Sequence, residues 1–109
     1  MKQIVAIIRP EHVQQTKDAL LKVGIAAYTA REVQEKGKES VTVKYTDEIT
    51  IKTGLLHKRM MLIVVKDDEV QKVIDAVMSI NSRQNKGDGK IFVTPVLRSY
   101  RISSGELIS

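Results

Sequence analysis

A strand-helix-strand order that occurs twice constrains this chain more than any other feature of its sequence. Gln3 to Ile8 is an apolar, β-branched run closed by Pro10, and it reads as a buried strand. Pro10 can open a helix, and Glu11 suits the positive end of one. Val13, Ala19, Leu20 and Val23 then mark a helical stripe, with Gly24 as the residue that ends it. Ala26 to Val33 is the second strand. Arg59 to Val65 is a third, containing the dense run Met60-Met61-Leu62-Ile63-Val64-Val65. Asp67 or Asp68 can cap the next helix, whose apolar face carries Val70, Val73, Ile74, Val77 and Met78. A polar loop from Asn81 to Lys86 leads to a fourth strand, Ile91 to Val96, and a short extended tail. Between the halves, Gln34 to Leu56 is polar, with the alternating stretch Val41-Thr42-Val43-Lys44-Tyr45 inside it. It reads as a long, partly extended excursion, either an ordered hairpin or a flexible docking segment.

This order predicts an α+β fold, the ferredoxin-like βαββαβ sandwich, with an antiparallel sheet and both helices on one face. No third helix is left to cover the other face. The strands are nonetheless apolar at nearly every position, as expected of strands buried on both sides. Copies of the same chain are therefore expected to cover that face, and three sheets facing inward would close a cyclic trimer. The 109 residues suit a single domain, 1–109, with a loop over 34–56 and a tail over 97–109. Hydrophobic residues make up 42% and charged residues 28%, which reads as a soluble globular chain. No apolar run approaches a membrane span, and the N-terminal run is too short for a signal peptide. Cytoplasm is the expected location, without membrane insertion. Cys is 0, which excludes disulfides, thiol catalysis and thiolate metal sites. The net charge of +5 favours anionic partners.

The run Gly87-Asp88-Gly89-Lys90 carries the chemistry. Glycines let backbone N–H groups approach a ligand, successive N–H groups form an anion-binding concavity, and Lys90 adds a full charge beside them. That is the physics of a phosphate cradle. It is neither a Walker A loop nor a dinucleotide fingerprint, since the spacing is wrong for one and a strand follows instead of a helix. A tight turn entering a strand, with a surface lysine, would read the same way.

The opening Ile7-Ile8-Arg9-Pro10, the segment Gly24-Ile25-Ala26-Ala27-Tyr28-Thr29, Lys58, and Val64-Val65-Lys66-Asp67-Asp68-Glu69-Val70 form a longer pattern. It continues through Gly87-Asp88-Gly89-Lys90-Ile91-Phe92-Val93-Thr94-Pro95-Val96 and ends on Arg101-Ile102-Ser103-Ser104-Gly105-Glu106. On these residues the chain resembles the PII family of nitrogen-regulatory signal proteins. The resemblance implies a trimer of ferredoxin-like subunits that binds ATP or ADP in clefts between subunits. A long T-loop, here 34–56, would dock on a target protein, and Mg²⁺ and 2-oxoglutarate would join ATP in many members. It implies a sensor, not an enzyme. By resemblance, Gly87, Asp88, Gly89 and Lys90 would hold the phosphates, with Arg101 added from the neighbouring subunit. Thr29 and Val64 would border the adenine, and Ile7 would lie beneath the nucleotide. Gly37 and Lys38 at the loop root would contact phosphate and 2-oxoglutarate, and Lys58 would pair with the 2-oxoglutarate carboxylate. Clustered cations and backbone donors are what a polyphosphate and a dicarboxylate require.

Departures bear on the reading. Glu39 stands where the family has a glutamine at the Mg²⁺ and 2-oxoglutarate site; a carboxylate can ligate Mg²⁺ but repels a dicarboxylate. Ser103 replaces the second basic residue of the tail, and Ile51 replaces the loop-tip tyrosine that some members modify. Tyr45 is nearby, with nothing to mark it as a modification site. The segment Lys58 to Val65, the helix ending Val77-Met78-Ser79-Ile80-Asn81 and the divergent loop are similar to the nitrogenase-associated branch, whose members work as hetero-oligomeric pairs with a paralogue.

Other readings stay open at this point. A trimer with a degenerate nucleotide site, like the CutA proteins, is one; it would regulate another transporter or enzyme. An RNA-binding ferredoxin-like sheet is another, and it lacks the exposed aromatics that stack on bases. Nucleic acid is thus not an expected partner. His12 and His57 are two lone histidines without a third ligand, so no structural metal is expected. Met60, Met61 and Met78 read as core filler, and Asp67-Asp68-Glu69 as a helix N-terminus that complements the dipole.

Overall fold

The computed structural model describes residues 1–44, 50–85 and 87–109, with the side chains of 35 and 37–54 outside that description. Strand β1 (Lys2–Ile8) leads through a 3₁₀ turn, Pro10–His12, into helix α1 (Val13–Lys22). Strands β2 (Thr29–Lys44) and β3 (Thr50–Val65) follow. A second 3₁₀ turn, Asp67–Glu69, leads to helix α2 (Val70–Asn81), and strand β4 (Gly89–Pro95) completes the sheet. The strand order is β2-β3-β1-β4 with every neighbour antiparallel, which is the ferredoxin-like arrangement the sequence predicts.

Alternation along β1 and β3 places the core. Ile4, Ala6 and Ile8 are buried on one face together with Met61, Ile63 and Val65. Leu20 of α1 and Val73, Ala76 and Val77 of α2 close over them. Both helices therefore lie on that face. Gly24 ends α1 as expected, at φ +84°. Its N–H donates to Leu21 O at 3.0 Å and Ile25 N–H donates to Leu20 O at 2.9 Å, the Schellman pattern. Ile25 and Leu20 are both buried, so the chain reversal is fastened by backbone and packing at once.

The structure moves several expected boundaries. The second strand begins at Thr29 rather than Ala26 and does not stop at Val33; the third begins at Thr50 rather than Arg59. Much of the 34–56 excursion is thus the far part of one long antiparallel ribbon, with a register shift between Lys36 and Val41. Two-stranded pairing satisfies backbone groups without a buried face, so the polar composition hid it. Residues 45–49, including Tyr45, lie outside the described residues. Neither Asp67 nor Asp68 caps α2. They form the 3₁₀ turn, in which the Glu69 carboxylate accepts the Lys66 N–H at 3.4 Å. Asp67 instead binds the Met1 ammonium at 2.9 Å. Of the three methionines read as core filler, only Met61 is core. Met60 lies on the opposite face, and Met78 is 50% exposed at the edge of α2.

The face away from the helices stays open within the chain. Its rows read Thr29, Leu62, Val5, Phe92 and then Arg31, Met60, Ile7, Lys90, with Val64, Gln3 and Thr94 beyond. Phe92 and Val64 are half exposed.

Candidate functional site

The turn at Gly87–Gly89 is built by its own side chains. Asp88 Oδ2 accepts the N–H of Arg83 at 2.8 Å and of Asn85 at 3.1 Å, which folds the loop back on itself. These two amides, helped by the charges of Arg9 and His12, hold the Asp88 carboxyl below its ordinary value. Arg9, at the end of β1, reaches across with its Nε donating to Gly87 O at 3.1 Å and its guanidinium 3.5 Å from Asp88 Oδ1. Lys58 Nζ donates to the same Gly87 carbonyl. Lys58 is only 6% exposed, so it is not the solvated lysine that a strand starting at Arg59 would leave at its end. Two cations on one carbonyl tie the turn to both β1 and β3.

Both glycines are needed, for different reasons. Gly87 has φ +84°, open to glycine and costly for other residues. Gly89 has φ +125°, and a Cβ there would stand 2.0 Å from Ile7 O. Backbone approaches that closely only where no side chain exists. The pairing of Gly89 with Ile8 then delivers Lys90 opposite Ile7.

The sheet brings several of the expected site residues to one face. Ile7, Thr29, Val64 and Lys90 all lie on the open face by register, and Lys58 follows the same alternation just past the end of β1. The face therefore offers an apolar floor beside a turn flanked by the cations Arg9, Lys58 and Lys90. Arg101 is not brought there. Its segment follows an anchor at the other end of β1, where Val96 N–H donates to Met1 O at 3.1 Å and Ser109 Oγ lies 3.2 Å from Met1 Sδ. Six strand residues, about 20 Å, separate that end from Gly89. The side chains of Gly37, Lys38, Glu39 and Ile51 lie outside the described residues, although their backbones run in β2 and β3. Among the described residues there is no cluster of three metal-ligating side chains and no helix long and apolar enough to cross a membrane.

Arg9 is the residue that sequence reasoning passed over. Nothing local marks it; only the β1–β4 register sets the end of β1 beside the turn.

A profile of the family described as Nitrogen regulatory protein P-II matches residues 1–106. The chain belongs to the P-II family. A P-II relative named Nitrogen fixation nifHD region GlnB-like protein 2, from Methanothermobacter marburgensis, is 36% identical over 97% of this chain and 95% of its own length. The nifHD region GlnB-like protein 1 of Methanothermococcus thermolithotrophicus is 38% identical over 97% of both chains. Nitrogen regulatory protein P-II 2 of Methanothermobacter thermautotrophicus is 37% identical over 97% of this chain and 92% of its own.

Proposed function

We propose that this chain is a nucleotide-responsive P-II regulator that binds ATP or ADP in clefts between the subunits of a trimer and acts on a nitrogen-fixation target through its long loop. One observation carries the reading: the Gly87–Gly89 turn is preorganised, with its carbonyl fastened by Arg9 and Lys58 and Lys90 set beside the apolar face. A polyphosphate needs donors and cations held in place before it arrives. Ile7, Thr29 and Val64 would receive the base on the same face. Arg101 would come from a second copy, since its own tail is anchored at the far end of β1. The trimer would bury the open face. The names of the relatives, drawn from the nifHD region, support nitrogen fixation as the controlled process.

Mechanism follows from linkage. A ligand shifts a loop only by its difference in affinity between the loop's conformations. Lys58 spans the Gly87 turn and the base of the 34–56 loop, because Lys58 lies in β3 and pairs with Val33 in β2. A ligand anion that draws Lys58 Nζ away from Gly87 O would therefore act on turn and ribbon together. Gly37, Lys38 and Glu39 at the ribbon root are proposed to meet the terminal phosphate, Mg²⁺ and, where it binds, 2-oxoglutarate.

Calorimetric titration with ATP and ADP, each with Mg²⁺ and with or without 2-oxoglutarate, tests the proposal. Binding of ATP strengthened by 2-oxoglutarate makes the protein a nitrogen-status sensor despite Glu39. Binding without that coupling makes it an energy-state sensor; no binding of either nucleotide overturns the proposal. Lys90→Ala is expected to weaken both nucleotides roughly tenfold or more, and Lys58→Ala to reduce selectively the response to ATP or 2-oxoglutarate. Equal losses for every ligand in both variants would contradict this division of roles.

A further inference from the structure

Concave surfaces flank both helices. A groove of about 430 Å³ between α2 and β4 ends at the Asp88–Lys90 turn and belongs to the surroundings of the site described above. A second pocket, of about 510 Å³, lies where the start of α1 meets β2 and β3, and that site makes no use of it. Pro10, Val13 and Ala30 give it apolar walls, while Lys17, Arg31 and Arg59 bring three positive charges against the one negative charge of Glu32. Arg59 Nη1 donates to Glu32 Oε1 at 2.6 Å. The Lys17 ammonium and the Arg31 guanidinium have no ion pair or hydrogen bond among the described residues. Lys17 is nonetheless partly buried. Arg31 belongs to the edge strand β2, with no strand beyond it in the sheet to keep it from the pocket. Arg59 sets the pocket on the helix side of the sheet, because it pairs with Ile8, which is buried beneath the helices. Lys58, one residue earlier, points to the other face and holds Gly87 O. Pro10 likewise follows Arg9, the second cation on that carbonyl. The pocket is thus one residue removed from each of the two ties on the turn.

We propose that this pocket is a second anion site, separate from the Gly87–Lys90 turn, for a small phosphate monoester. A dianionic head matches the surplus of positive charge around the opening. A guanidinium carries five N–H donors in a planar fork, and Glu32 takes one of those on Arg59, so the rest are available to phosphate oxygens. Glu32 is 78% exposed at its side chain and can swing outward, yielding Arg59 to the ligand. Lys17 adds a point charge from the first turns of α1. Pro10, Val13 and Ala30 receive the short carbon body of the ester. Free phosphate shares the head-group chemistry but leaves those walls empty, which separates the two ligands by affinity.

Titration of the isotope-labelled full chain with phenyl phosphate, and separately with inorganic phosphate, tests the site through amide NMR shifts. The amides of Val13, Lys17, Ala30 and Glu32 report on the pocket, and those of Gly87 to Lys90 report on the turn, so the two sites are read apart in one experiment. The pocket amides are expected to follow one saturating curve, with phenyl phosphate bound roughly fivefold more tightly than inorganic phosphate. Lys17→Gln removes a charge that has no partner among the described residues. It is expected to keep the parent's circular dichroism and to weaken the pocket curve roughly fivefold or more. Glu32→Gln frees Arg59 and is expected to tighten the same curve roughly twofold or more. Shifts confined to Gly87–Lys90, or a pocket curve that Lys17→Gln leaves unchanged, overturn the second site and leave the nucleotide reading intact. Inorganic phosphate bound as tightly as phenyl phosphate overturns the assignment to a monoester.

Discussion

At the scale of single residues, the turn separates glycines that are needed for conformation from those needed for space. Gly24 and Gly89 both have positive φ, at +84° and +125°, but nothing lies within 4 Å of a Cβ added at Gly24, whereas Ile7 O blocks one at Gly89. Gly24→Ala is expected to cost about 1 kcal/mol from strain alone. Gly89→Ala is expected to cost roughly 2–4 kcal/mol, because β4 must also move away from β1. Urea unfolding of the two variants checks the ranking, and similar losses would refute it. Asp88 makes a pH-dependent contribution. Its pKa in the folded protein lies below the ordinary 3.8, so its stabilisation is present above that value and is lost as the pH falls through the lowered pKa. Asp88→Asn should therefore be less stable than the parent at neutral pH, with the gap closing below about 3.8. A gap that persists undiminished in strong acid would mean that the hydrogen bonds, not the charge, carry the effect.

At the scale of elements, the two helices are tied by a polar contact that their apolar stripes did not announce. Thr16 is fully buried on α1; its hydroxyl donates to His12 O at 2.8 Å and accepts from Asn81 Nδ2 at 2.9 Å. Asn81 also donates to Val77 O at 2.9 Å, which holds the last turn of α2 where the loop to Gly87–Gly89 departs. Thr16→Val keeps the volume and removes both hydroxyl bonds, for an expected loss of about 1–3 kcal/mol. A double-mutant cycle with Asn81→Leu should show coupling between the sites; additive losses would exclude the tie. The stripe of α2 is also narrower than its sequence suggests. Val73 and Val77 face the core with Ala76, while Met78 turns toward the β4 groove.

At the scale of the whole molecule, the sheet face away from the helices is left open within the chain and a long ribbon extends from β2 and β3. Phe92, on the edge strand β4 of that face, is half exposed within its own chain. If the trimer forms through this face as proposed, Phe92→Asp is expected to leave a folded chain that sediments as a monomer and lacks the nucleotide affinity of the parent. A Phe92→Asp trimer that binds like the parent would exclude the sheet face as the assembly surface. Much of this architecture was legible in the sequence because apolar periodicity is a local property. The doubled strand-helix-strand order, the stop at Gly24 and the Gly87–Lys90 turn are each written in neighbouring residues. Several elements were misread where the signal is not local. The far arms of β2 and β3 are polar in sequence and pair with each other, so no hydrophobic pattern marks them. Arg9, Lys58 and Gly87 lie far apart in sequence, and only the register of β1 against β3 and β4 sets both cations on one carbonyl. The sequence by itself determined both helices, the cores of the four strands, and that a glycine-rich turn lies between α2 and β4. The tertiary structure alone decided what holds that turn and which residues share the open face, because long-range strand pairing leaves no imprint on the residues beside it.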